Sequence, residues 1–143
     1  MKNNNKGFSL LELLIVVAII LIIATIAIPS LLRSRQAANE SAAVANLRTI
    51  NTAEVTYLSS NGGQYGDLDA MIVAGLLDET FTGTKAGYNY TVDATDPNNY
   101  TAEAVPASPN TGRYGYYSHP DAVVRYSTTA TLAPSGQAGR SVQ

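Results

Sequence analysis

Residues 8–28 read FSLLELLIVVAIILIIATIAI, a run of 21 with one charged member, Glu12. As a helix at 1.5 Å per residue it would span about 31 Å, close to the thickness of a bilayer's hydrocarbon core. A polar leader, MKNNNKG (1–7), precedes it and carries Lys2 and Lys6. A lone carboxylate near one end of such a helix is costly and asks for a reason. Two readings of Glu12 stand. It is either a membrane-edge residue snorkelling to water, or one half of a buried ion pair.

A cleaved export signal is the plain alternative for an apolar N-terminal run. Against it, the run exceeds the usual 7–15 residue apolar region of a signal peptide. No small-x-small cleavage site follows it closely, since Pro29, Leu31, Leu32 and Arg33 stand there. A signal peptide also has no use for Glu12, so the helix is expected to be retained.

Outward from this run, helical pattern continues beyond Pro29. Proline deletes a backbone donor and frees the Thr25 carbonyl, so a bend or loosening is expected there, partly offset by the Thr25 hydroxyl. The segment 30–60 has no glycine or proline and is rich in helix formers. On a helical wheel Val44, Leu47, Ile50, Val55, Tyr57 and Leu58 share a broad arc suited to packing on a soluble core. Glu54 falls inside that arc, at a rim or beside a donor. From 8 to 58 such a helix would measure about 76 Å, longer than a domain of this size needs.

Asn61-Gly62-Gly63 ends the helix. A brief second helix is expected around Leu68, Met71, Ile72 and Leu76, with Asp67 as N-cap and Gly75 as its stop. From Phe81 the period shifts towards two. GYNYTVDA, YTAEAVPA, RYGYYS and AVVRYST supply four strands separated by turn-forming stretches. The expected fold is α+β, a long N-terminal helix, membrane-spanning in its first half, packed against a small antiparallel sheet. The segments are 1–7 leader, 8–28 apolar helix, 29–60 amphipathic continuation, 61–133 loop and sheet, and 134–143 flexible tail.

Composition excludes several functions. There is no cysteine, which removes thiol chemistry and disulfides. Net charge is −2, and without Lys2 and Lys6 seven basic side chains face eleven acidic ones, which argues against a nucleic-acid partner. His119, the single histidine, sits in an S-H-P-D turn and reads as a solvated turn residue. Asp67 and Asp69 read as helix-capping acids before a cation site. No triad, metal motif or phosphate loop is legible, so no enzyme, cofactor or metal is expected. The nine tyrosines suit packing or self-association; Tyr114, Tyr116 and Tyr117 put aromatics on both faces of one strand, leaving one face for another subunit.

Lys6-Gly7, then Phe8-Ser9-Leu10-Leu11-Glu12, the apolar run and Pro29 together resemble the class III signal of type IV pilins and pseudopilins. The resemblance is close over residues 6–35 and looser in layout beyond. It implies cleavage between Gly7 and Phe8 by a prepilin peptidase, and N-methylation of Phe8. On this reading the new Phe8 amine and Glu12 neutralise one another within or between subunits, and Glu12 serves recruitment and axial register. Pro29 would mark a helix loosened in filaments. The implied partners are copies of the chain through their N-terminal helices, the peptidase/methyltransferase, an assembly platform, and the inner membrane before assembly. The implied function is a pilus subunit, stored in the membrane and then built into an extracellular filament of the kind used in adhesion and twitching motility. A type II secretion pseudopilin, or a membrane-anchored adhesin or DNA-uptake subunit, is the alternative. The acid-free chain after Tyr126 lacks the calcium site of some pseudopilins. The absence of aromatics between Phe8 and Tyr57 gives no reason to expect an electron path along the helix.

Overall fold

The computed structural model describes residues 7–96, 98–127 and 139–142. It divides into two compact units, Met1–Ser34 and Arg35–Gln143. One helix, α1 (Leu10–Ser60), runs unbroken through 51 residues and contributes to both. The expected loosening at Pro29 is absent from this isolated chain, because one missing donor leaves the flanking ladder of bonds intact. The Thr25 hydroxyl donates to the carbonyl of Ile22 at 2.7 Å, and so plays a different part from the one expected of it.

In the second unit, the 35–60 portion of α1 buries Ala43, Val44, Leu47, Ile50 and Ala53. The sheet they meet is a six-stranded antiparallel meander in sequence order: β1 (Thr84–Lys85), β2 (Tyr88–Asp93), β3 (Thr101–Pro106), β4 (Gly115–Ser118), β5 (Arg125–Ser127) and β6 (Arg140–Ser141). The α+β class and the sequence's four strands are present, with two short edge strands added. Of the tail 134–143, Arg140 and Ser141 pair with β5, and most of the remainder lies outside the described residues.

Alternation in β2 turns Tyr88 and Tyr90 inward and leaves Asn89 and Thr91 exposed. Across the next strand, register sets Tyr90 opposite Ala104, and Ala104 opposite Tyr116. Tyr90 and Tyr116 thus flank buried Ala104 on β3, while buried Ala102 lies between Val92 and Ser118, and these small side chains leave room for the helix face. Fully burying Leu47 or Ile50 contributes roughly 1.5–3 kcal/mol each.

One helix position differs from expectation: Val55 is 58% exposed. Glu54, expected inside the buried arc at a rim or beside a donor, is fully buried and accepts from Gly66 N at 3.2 Å. The face meeting the sheet centres near Glu54 and Leu47, which leaves Val55 at its margin. The exposed face carries hydroxyls bonded to their own helix: Ser41 to Ala37 O, Thr49 to Ala45 O, Thr52 to Arg48 O and Thr56 to Thr52 O, at 2.9–3.1 Å.

The helix is tied to the loop before β4 by Glu40. Its Oε1 accepts from Arg113 N at 2.8 Å and Nε at 3.0 Å, and its Oε2 from Nη2 at 2.8 Å. Asn39 adds a bond to Thr111 O at 2.8 Å. Helix α2 (Leu68–Val73) starts as expected, with Asp67 accepting from Ala70 N at 2.8 Å, and Gly75 beyond it has φ +72°. The β1–β2 turn uses Ala86 and Gly87, both at positive φ, the geometry of a tight two-residue hairpin.

The Tyr114–Tyr117 region also departs from expectation. Tyr116 is 5% and Tyr117 0% exposed, so both faces of β4 are covered within the chain and neither is left over. Tyr116 packs beside Tyr88 and Tyr126, and Tyr117 meets the edge of His119. His119 is half-buried, with Nδ1 3.1 Å from Tyr100 O and 3.2 Å from Thr101 Oγ1; it docks the β4–β5 turn onto β3 instead of being solvated.

Tyr88 donates its hydroxyl to Tyr114 O at 2.9 Å, directly over Gly112. A Cβ on Gly112 would lie 2.0 Å from the Tyr88 hydroxyl oxygen and 2.5 Å from its Cζ. Gly112→Ala is therefore expected to destabilise the second unit by roughly 1–3 kcal/mol through overpacking. Chemical denaturation of the detergent-solubilised chain measures this, and an unchanged midpoint would refute it.

Candidate functional site

The residues singled out in the sequence lie in the first unit. Gly7, Phe8 and Ser9 are non-helical and exposed, and α1 starts at Leu10. Ser9 is the helix's N-terminal cap. Its Oγ accepts from Leu11 N at 3.3 Å, and its carbonyl from Leu13 N at 3.2 Å. Glu12 reaches back, with Oε2 accepting from Ser9 N at 2.8 Å. Together the two side chains form a variant of the capping box, Ser9 accepting from Leu11 N and Glu12 from Ser9 N, which satisfies two backbone donors that a helix start leaves open. The carboxylate also sits at the positive end of the helix dipole. This role of Glu12 was missed in the reading above, although its signal, S-x-x-E at 9–12, is in the sequence.

The position of Gly7 is permissive. Among the described residues, nothing lies within 4 Å of a Cβ built there. Phe8 follows it, 85% exposed.

Beyond the cap the apolar side chains point outward uncovered. Leu10 is 81%, Ile26 74% and Leu31 71% exposed. Soluble monomers rarely present so large a continuous apolar surface, and α1 is long and apolar enough to cross a membrane. Pro29 is likewise exposed, within the helix. The structure brings Ser9 and Glu12 together, while Pro29 lies more than four turns further along.

Among the described residues, no group of three or more His, Cys, Asp or Glu side chains could hold a metal ion. The arrangement offers a capped helix start, an exposed peptide bond before it, and a bare apolar surface after it.

Three comparisons bear on this geometry. A family model described as the prokaryotic N-terminal methylation motif matches residues 2–28. The chain is similar to the type IV wide pilus major component PilA4 of Thermus thermophilus, with 32% identity over 130 residues, 91% of this chain and 93% of that protein. It is also similar to the type IV major pilin protein PilA of Myxococcus xanthus, with 38% identity over 92 residues, 64% of this chain and 40% of that protein.

Proposed function

The chain belongs to the type IV pilin family, and from that premise we propose that it is the major subunit of a surface pilus, cut between Gly7 and Phe8 and methylated on Phe8. It is a structural, non-enzymatic protein that polymerises. The observation that carries the major-subunit reading is the match over nine-tenths of both chains to a relative named as a major pilus component.

The local geometry supports the processing step. An exposed, non-helical peptide bond at 7–8 can enter a peptidase cleft without unwinding the helix. No described residue crowds position 7, and on this reading glycine there serves the enzyme that cuts the bond. Cleavage leaves an α-amine on Phe8, one residue before the N–H already held by Glu12. The carboxylate then has a cation within reach, in its own chain or in a neighbour's. Membrane anchoring precedes extracellular filament formation; the inner membrane, a prepilin peptidase with methyltransferase activity, and an assembly platform are the proposed surroundings. Apolar helices pass from lipid into a filament core, and a carboxylate displaced from its partner there would be buried unpaired, a cost of several kcal/mol that selects register.

Mass spectrometry of sheared filaments tests this reading. The expected N-terminal peptide begins at methylated Phe8. Filaments lacking the chain, or a mature end elsewhere, would refute it. Gly7→Val is expected to retain the leader, hold the precursor in the membrane and reduce filaments by an order of magnitude or more; normal processing of that variant would remove the role given to Gly7.

A further inference from the structure

Glu54 lies at the centre of the buried face of α1, with no exposed surface. Its Oε2 accepts one bond, from Gly66 N at 3.2 Å, and its Oε1 has no hydrogen-bond partner. The bond joins the helix to the segment 61–67 that leads into α2. That segment is pressed tightly onto the helix, since a Cβ on Gly66 would sit 2.7 Å from the Tyr57 ring. Beside it opens a groove of about 520 Å³, bordered by Tyr57, Tyr65, Gly66, Asp67, Val92 and Asp93.

Among the described residues, no ion pair compensates the carboxylate. The ion pairs among the described residues are Glu40–Arg113 and Asp121–Arg125. Asp67, from the segment itself, adds repulsion. Tyr100, just before β3, faces Glu54, but its hydroxyl already donates to Asn51 Oδ1 at 2.9 Å. Tyr65 packs against the Tyr100 ring. A buried, unpaired carboxylate with a single weak bond is far better accommodated neutral.

We propose that Glu54 is a proton-operated latch: carrying its proton, it holds segment 61–67 closed on α1, and losing it loosens that segment and the groove it borders. Burial chiefly, with Asp67 adding to it and the Gly66 N–H opposing, pushes the Glu54 carboxyl from 4.5 up to about 7. The closed state therefore binds the proton more tightly than the open one. Its advantage is full below the ordinary carboxylate range, shrinks as pH rises, and is lost by the time pH passes about 7. A surface filament experiences the pH of its surroundings, so the latch would be set from outside.

Hydrogen exchange read by mass spectrometry tests the latch on the full chain in detergent micelles. Wild type and Glu54→Gln are compared at the same pH, so the intrinsic pH dependence of exchange cancels. Between about pH 5.5 and about pH 8, the wild-type to variant ratio of opening for peptides covering 61–70 is expected to grow roughly tenfold or more, while peptides from β2 keep a constant ratio. A ratio for 61–70 that stays level across that range overturns the proposal. Should the variant lose protection in β2 as well, the wild type alone decides. Its 61–70 opening, corrected for intrinsic exchange and referred to β2, must rise by the same factor, and a flat profile overturns the latch.

Discussion

Glu12→Leu (E12L) is expected to leave the chain inserted in the membrane and to abolish filaments. Loss of the bond from Glu12 to Ser9 N costs the helix start about 1 kcal/mol, and exchange of a carboxylate for leucine favours insertion by more than that. Neither effect removes the protein from the bilayer. Assembly is different. With leucine at position 12, a neighbouring helix in the wrong axial register buries nothing that objects, and the amine that the proposed cleavage gives Phe8 would lose its counter-charge. Immunoblots of membrane and sheared fractions distinguish the two stages; a normal filament yield would defeat the register argument. Glu12→Gln separates the two roles of the side chain. Glutamine still accepts the Ser9 N–H as the third residue of a capping box, but it cannot neutralise an ammonium. Filaments are expected to fail in both variants. Recovery in Glu12→Gln alone would transfer the importance of Glu12 from charge to capping.

Leu47→Ala is expected to destabilise the second unit by about 3 kcal/mol, lowering its melting temperature by roughly 10 °C or more. Leu47 is fully buried at the centre of the helix face, and truncation leaves a cavity whose walls are fixed by β-sheet register. Val55→Ala, two turns on, is expected to change stability by less than about 0.5 kcal/mol, because that valine is 58% exposed. Circular dichroism melts of the two variants decide the point. Equal losses would mean that the helix meets the sheet through a different face.

The pairing of these residues shows where sequence reading reaches its limit. Hydrophobic period placed both valine and leucine on one stripe, because a wheel knows apolar character and ignores where the sheet will centre. That centre is set by the alanines of β3, whose contribution is the absence of bulk and therefore of signal. Asp67 and Gly75 were legible because helix capping is a local event within a few residues. Glu40 and Arg113 were not, since their contact closes across 73 residues and neither type announces a partner. The two-residue edge strands are held by backbone pairing, which leaves no periodic pattern to find. On β4 alternation failed for another reason. Both faces are covered, so Tyr116 and Tyr117 carry the same apolar mark with opposite destinations. At the candidate site, Glu12 and Pro29 stood out from charge and backbone chemistry alone and their family roles, with the cut between Gly7 and Phe8, came from the resemblance, while the bond between Ser9 and Glu12 needed only local spacing and was overlooked.

Ser41, Thr49, Thr52 and Thr56 each return their proton to a carbonyl one turn back along α1. A hydroxyl so occupied has no donor left to be orphaned. Water hydrates such a face readily, and an alkyl neighbour can cover it without leaving a proton unplaced, so exchanging one surrounding for the other carries little penalty. The same strip of helix is therefore tolerant of solvent and of drier company alike, a property suited to a protein that must change its neighbours during its working life.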